Sequence, residues 1–199
     1  MIVRAFRGPL LENTHSLRVV VVEADANHTT TITHQSGPPT CSPWRSAGKP
    51  IQLWASLEAM NDPEFNDIQL AIGSSSHSGQ PEHVTVVQGL LDRFGVTVGD
   101  LRCGAEAPAH SGSRHALIQS GNPPSALHND CSGKHAMMLG AIAHQGWSKN
   151  YLSAAHPLQK RILELVTQWC ETEPQTAVDG CGVPTFGLHI SAMARAWCR

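Results

Sequence analysis

The sequence predicts an α+β protein: an N-terminal group of strands followed by a mainly helical remainder. Two observations carry this expectation. Residues 2–35 contain the β-branched run LRVVVVEA and the alternating TTTITH, both suited to strands. Beyond residue 44, several stretches repeat apolar residues at three- and four-residue spacing, as buried helix faces do. With 41% hydrophobic and 15% charged residues in a chain of 199, there is enough apolar surface for a core.

The elements follow in order. VRAF is a short strand, LRVVVVEA and TTTITH are two more, and DANH between them suits a hairpin turn. SGPPTCSP, residues 36–43, is a turn-rich connection. A helix begins near Ser46, with Ile51, Trp54, Ala55, Leu57 and Glu58 fitting a partly buried start. DIQLAIGSSSHSGQPEH passes from apolar residues into a small, polar loop. Val87, Leu90, Leu91 and Phe94 then mark an amphipathic helix that Gly95 can end. Residues 103–127 are rich in Gly, Pro and Ser and read as an ordered loop or crossover. A helix is expected from Ser132 to Gly146. Another is expected from Pro157 to Cys170, with Ile162, Leu165, Val166 and Trp169 on one face. The last carries Ile190, Met193, Ala194 and Trp197, and no internal repeat is evident.

Composition excludes some function classes. A net charge of −2 gives no bulk attraction for nucleic acid or an anionic membrane. No apolar run approaches the ~20 residues of a membrane span. The opening MIVRAFRGPLLENTH interrupts its apolar stretch with charge, unlike a secretory leader, so a cytoplasmic protein is expected. Six widely spaced cysteines are expected to be reduced thiols, not a disulfide framework.

Three stretches crowd reactive side chains. In RSAGKPIQ (45–52), Ser46 and Lys49 are three residues apart, on one face of a helix. A hydroxyl becomes a nucleophile when a base takes its proton, and a neighbouring lysine can be that base. The same spacing also describes a capping Ser46 and a solvated Lys49. GSSSHSGQPEH (73–83) can supply a second hydroxyl and backbone donors, or be a plain polar loop. HNDCSGKHAMMLGA (128–141) places Cys131 and Lys134 one helical turn apart, and Cys181 lies between glycines in VDGCGVP. By spacing, Cys131 and Cys181 read as buried thiols, an oxidisable pair, or two zinc thiolates.

Taken together, RGPLLENTH, RSAGKPIQ, SSSHSGQPEH, CGAEAP, HNDCSGKHAMML and DGCGVPTF resemble the thermolabile, rhizobial-type L-asparaginases, the asparaginase II family, over nearly the whole chain. The resemblance implies hydrolysis of L-asparagine to L-aspartate and ammonia. It implies a fold similar to serine β-lactamases and glutaminases, with an antiparallel sheet packed against a helical region. Carried over by position, Ser46 is the nucleophile, Lys49 its base, and Ser76, or Ser78, the second serine. His77, His128, Asn129 and Asp179 are placed in substrate binding. Cys131, Lys134 and Cys181 match residues that bind zinc. A homodimer is expected, and an inactive homologue that only binds zinc or an amino acid is the alternative.

Departures from the family pattern are Gln80 for an acid, Glu106 for a histidine, Asp130 for asparagine, and Met137–Met138 for a smaller pair. Members also continue past the DGCGVP helix, with closing strands and a second catalytic lysine. The expectation is therefore one domain over residues 1–199, incomplete at its C-terminus. Strands would fill 1–35 and the helical region with its site loops 44–199, and the three N-terminal strands would lack partners.

Overall fold

The computed structural model describes residues 1–61 and 64–198. Contacts divide them into two compact units, one built from Met1–Trp44, Val166–Gln175 and the stretch from Phe186, the other from Arg45–Leu165 and Thr176–Thr185.

The first unit holds five strands before any helix: β1 (Ile2–Arg7), β2 (Leu10–Ser16), β3 (Val19–Ala24), β4 (Thr30–Ser36) and β5 (Cys41–Pro43). β1–β2 and β3–β4 are antiparallel pairs. The expected DANH turn forms, with Asp25 Oδ1 accepting from the Asn27 and Thr29 amides at 2.8 and 2.9 Å. Of the three expected strands, the first pairs with the unexpected β2 and the other two pair with each other, in two separate two-stranded sheets. Every residue of β2 is exposed, so LLENTHS carries no inside-outside alternation from which to read it.

Three further strands escape the sequence reading: β5, inside the expected connection 36–43, β6 (Gln175–Val178) and β7 (Pro184–His189), which pairs antiparallel with β5. The final helix, α7 (Ile190–Ala196), packs on β3. Buried Trp44 meets the edge of Trp197 at 5.7 Å between ring centroids. Together these features make an α+β protein whose antiparallel sheets are small.

The second unit is helical: α1 (Lys49–Ala59), α2 (Asp67–Ser74), α3 (Pro81–Phe94), α4 (Ser111–Gln119), α5 (Ser132–Gln145) and the first part of α6 (Pro157–Cys170). α5 is its axis. Residues 132–142 are all buried, and α1, α2 and α3 pack around them. A helix buried on every side forms the centre of a core. Gly95 and Gly146 end α3 and α5 in the left-handed conformation, as expected. α4 lies inside the expected loop. None of its residues is buried, so no apolar periodicity announces it. Trp54 departs from the partly buried face expected for α1: it is half exposed and donates to Glu58 at 2.9 Å.

Close approach of α2 and α5 fixes the spacing of this unit. A Cβ at Gly133 would lie 2.2 Å from the Ile72 carbonyl oxygen, well inside contact distance. Gly133→Ala is therefore expected to cost about 1–3 kcal/mol or more, read by denaturant unfolding. Gly89, exposed on α3 with open space around it, is the control. Gly89→Ala is expected to be neutral or to stabilise by about 0.5–1 kcal/mol. Equal effects of the two would refute the close-packing account.

Candidate active site

All the expected site residues lie in the helical unit. A 3-10 turn, Arg45–Gly48, leads into α1 and leaves Ser46 exposed. Pro50 in the first turn needs no hydrogen-bond acceptor. Lys49 turns inward and is 1% exposed. Its amine donates to Ser76 Oγ at 2.8 Å, the Ser75 carbonyl at 3.3 Å and the Asp130 carbonyl at 3.4 Å. Three donors thus meet three oxygens, which is what a buried ammonium requires. Ser76 Oγ in turn donates to Ser46 Oγ at 3.1 Å. The Ser46 hydroxyl is two hydrogen bonds from the amine, with Ser76 between them.

The neighbouring serines are otherwise engaged. Ser74 and Ser75 hydroxyls donate back to Leu70 and Ala71 carbonyls at 2.8 and 2.6 Å. Ser78 donates to Gln80 at 2.8 Å. Only Ser76 of this run is hydrogen-bonded to Ser46 and Lys49. A groove of about 400 Å³ opens beside Ser75, Ser76 and His77 and runs past Ile72, Glu82 and His83.

A sulfur cluster forms at the start of α5. Cys131, Lys134 and Cys181 are all buried, and Lys134 Nζ lies 3.2 Å from Cys181 Sγ. The Cys131 thiol donates to Cys181 and so favours the thiolate there. His135 and the Lys134 charge act the same way, and together they hold Cys181 far below the usual thiol range against the opposing effect of burial. The same hydrogen bond and burial push Cys131 upward. Cys103, pushed up to about 12 mainly by burial, stays a thiol. The six cysteines form no disulfide.

His135 is fully buried, and burial lowers its pKa. Tyr151 Oη accepts from the Arg102 amide at 2.8 Å, so its own proton goes to His135 Nδ1, also at 2.8 Å. Nδ1 is then an acceptor, and the imidazole proton sits on Nε2. That nitrogen makes no aligned hydrogen bond, and the group it acts on is the Cys181 sulfur.

The other expected substrate residues are built into the frame. His77 Nδ1 accepts from the Gly79 amide at 3.1 Å, which leaves Nε2–H to meet Ser132 Oγ at 2.8 Å. Asn129 donates to the Cys103 carbonyl at 3.1 Å and accepts from the Cys131 amide at 2.9 Å. His128 Nδ1 faces Ser125, at 3.0 Å from its hydroxyl. Asp179 accepts from the Gly180 amide at 2.9 Å and pairs with Arg45 Nε at 2.8 Å. The nucleophile segment and the Cys181 loop are thereby joined by an ion pair.

A family model described as L-asparaginase II matches residues 3–199. The chain belongs to the L-asparaginase II family. No curated protein matches it. Membership identifies a hydrolase family acting on asparagine, and it covers both the Ser46–Ser76–Lys49 relay and the sulfur cluster. Among the described residues, no helix is long and apolar enough to cross a membrane.

Zinc would need donors other than a His/Cys/Asp/Glu set, since no group of three such residues is arranged for a metal among the described residues. Cys131, Cys181 and Lys134 supply two sulfurs and an amine. Tetrahedral zinc places sulfur at about 2.3 Å and nitrogen at about 2.0 Å, hence such donors about 3.5 Å apart. The 3.2 Å between Lys134 and Cys181 fits that edge. Loading would release the Lys134 and Cys131 protons.

Sequence reasoning missed Arg45 and the Asp130 carbonyl. Arg45 stands next to Ser46, but its partner is 134 positions away, by residue number. A backbone carbonyl has no sequence signal at all.

Burial above all, then the nearby His83 and Lys49 charges, lower His77 from 6.5 to about 4. Its folded-state pKa is depressed, so the unfolded chain takes up a proton below about pH 6.5 that the fold refuses until about pH 4. Stability is full above that window and falls as pH drops through it. His77→Gln is expected to flatten this slope by up to one proton, measured by denaturant unfolding across the window. An unchanged slope would show that His77 is not neutral in the fold.

Proposed function

We propose that the chain hydrolyses the side-chain amide of L-asparagine through a seryl intermediate. The observation that carries this reading is the unbroken path Ser46 Oγ–Ser76 Oγ–Lys49 Nζ, with steps of 3.1 and 2.8 Å, in a chain of the L-asparaginase II family. Ser46 is exposed and Lys49 buried, as a nucleophile and its base should be. Turnover uses Lys49 in its neutral form, in which both hydrogen bonds run the other way: Ser46 donates to Ser76 and Ser76 to Lys49, so the Ser46 proton passes to Ser76 as the Ser76 proton passes to Lys49. Ser46 Oγ bonds to the amide carbon, and the C–N bond then breaks. The relay runs backward to protonate the departing nitrogen, and ammonia leaves. Water repeats the sequence on the ester, which releases aspartate and restores Ser46.

Cys131, Lys134 and Cys181 would hold zinc. Its chemistry when bound is that of a Lewis acid able to fix polar groups of the substrate. Asp179, His77, His128 and Asn129 set the frame around that position. The fold reading goes with this proposal: a serine β-lactamase- and glutaminase-like domain, supported by antiparallel strands, a helical unit and the Ser-x-x-Lys helix start. A homodimer is supported by exposed apolar residues on β1 and β2, namely Ile2, Phe6, Leu10 and Leu11. Cysteines that form no disulfide suit the reducing cytoplasm.

Ammonia release from L-asparagine, with zinc content read on the same sample, tests the proposal. Ser46→Ala is expected to lose turnover by about a thousandfold or more while stability changes by no more than about 0.5 kcal/mol. Turnover surviving in that variant would remove Ser46 as nucleophile. Cys181→Ala is expected to lower zinc content, and stoichiometric zinc in it would overturn the metal assignment.

A further inference from the structure

The Arg45–Asp179 pair stands out from the other ion pairs. Arg45 is a non-glycine residue at φ 53°, a left-handed backbone conformation that costs an L residue about 1 kcal/mol or more. It directly precedes Ser46. Its side chain is 65% exposed, whereas that of Asp179 is 9% exposed. Asp179 holds only the Nε edge of the guanidinium at 2.8 Å, which leaves the four Nη hydrogens for another partner. A Cβ on Gly180 would come within 3.8 Å of Arg45 Nη2. The bare glycine therefore leaves that edge approachable. On the other side, Asp179 Oδ2 lies 3.8 Å from Cys181 Sγ, at the border of the sulfur cluster.

Asparagine presents a carboxylate and an ammonium on one carbon. The site presents a guanidinium and a carboxylate side by side, one residue from the nucleophile. We propose that Arg45 is the receptor for the substrate α-carboxylate, with Asp179 taking the α-ammonium, so that the site selects a free α-amino acid. The inference rests on the asparaginase reading and assigns its substrate-recognition groups. A guanidinium already anchored at Nε is suited to this, because its free edge matches a carboxylate in a two-point contact without giving up Asp179. The strained backbone at 45 keeps that edge over the site, and the Asp179 bond holds it there. Peptide-bound or α-substituted asparagine lacks one or both charges and would be rejected.

Calorimetric binding to the full chain separates the possibilities, because it does not depend on turnover. The probes are L-aspartate, succinate, which lacks the ammonium, and β-alanine, which lacks the α-carboxylate. Arg45→Met is expected to weaken L-aspartate and succinate about tenfold to a hundredfold and to leave β-alanine unchanged. Asp179→Asn should weaken L-aspartate and β-alanine but not succinate. Arg45→Gly relieves the backbone conformation, so its unfolding midpoint should match or exceed the parent's while L-aspartate binding falls. Equal weakening of all three probes by Arg45→Met, or undiminished L-aspartate binding in Arg45→Gly, would overturn the assignment. Failure of the unaltered chain to bind any probe would instead overturn the asparaginase reading on which it rests.

Discussion

A lysine amine in the protein interior must be surrounded by oxygens, and the site is organised by how Lys49 meets that requirement. Its three acceptors come from Ser76, the Ser75 carbonyl and the Asp130 carbonyl. These belong to the loop after α2 and to the residue just before Cys131. One cation therefore ties the start of α1, the serine loop and the start of α5 together. Leaving any of the three unpartnered would cost the desolvation of a buried polar group. The electrostatic need of the base fixes the position of the hydroxyl it serves.

A second link closes the arrangement. From Lys49 the path runs through Asp130 to Cys131 and on to Cys181. From Ser46 it runs through Arg45 to Asp179, two residues before the same cysteine. The nucleophile and the sulfur cluster are thus connected on both sides. The scaffold beneath is stiff, because α5 is buried along residues 132–142 and contacts its neighbours through small residues. At Gly133 the helix rests directly on the Ile72 carbonyl. Catalytic groups on rigid, closely packed elements keep their geometry better than groups on loops alone.

The legible elements were those with a strong contrast between faces. α3 shows it, whereas α5, buried on every side along residues 132–142, was legible as a run of small and apolar residues; glycines end both helices, and the Asp25 turn marks the β3–β4 hairpin. β2 and α4 bury nothing, so their sequences carry no such contrast and they were not foreseen. Ser-x-x-Lys could be read because it is local. Resemblance gives Ser76, with Ser78 as the alternative, and spacing cannot separate them, since it does not show that the Ser78 hydroxyl goes to Gln80. The hydrogen bonds of His77 and Asn129 could not be read for a related reason. A polar side chain in a reactive cluster looks like a ligand contact, but these two spend both polar ends on the chain itself. The sulfur cluster came from family resemblance, because its members are too far apart in sequence for spacing to join them.

Those separations carry a consequence for how the protein is made. Ser46 and Ser76 meet across 30 residues, whereas Lys134 and Cys181 meet across 47 and lie later in the chain. A ribosome adding about 5–20 residues per second needs several seconds to pass from Lys134 to Cys181. Throughout that interval the hydroxyl relay can already assemble, while Cys131 and Lys134 wait for their partner sulfur. Synthesis thus brings out the members of the proton path first, and the set of sulfur and amine donors is complete only once Cys181 has been made.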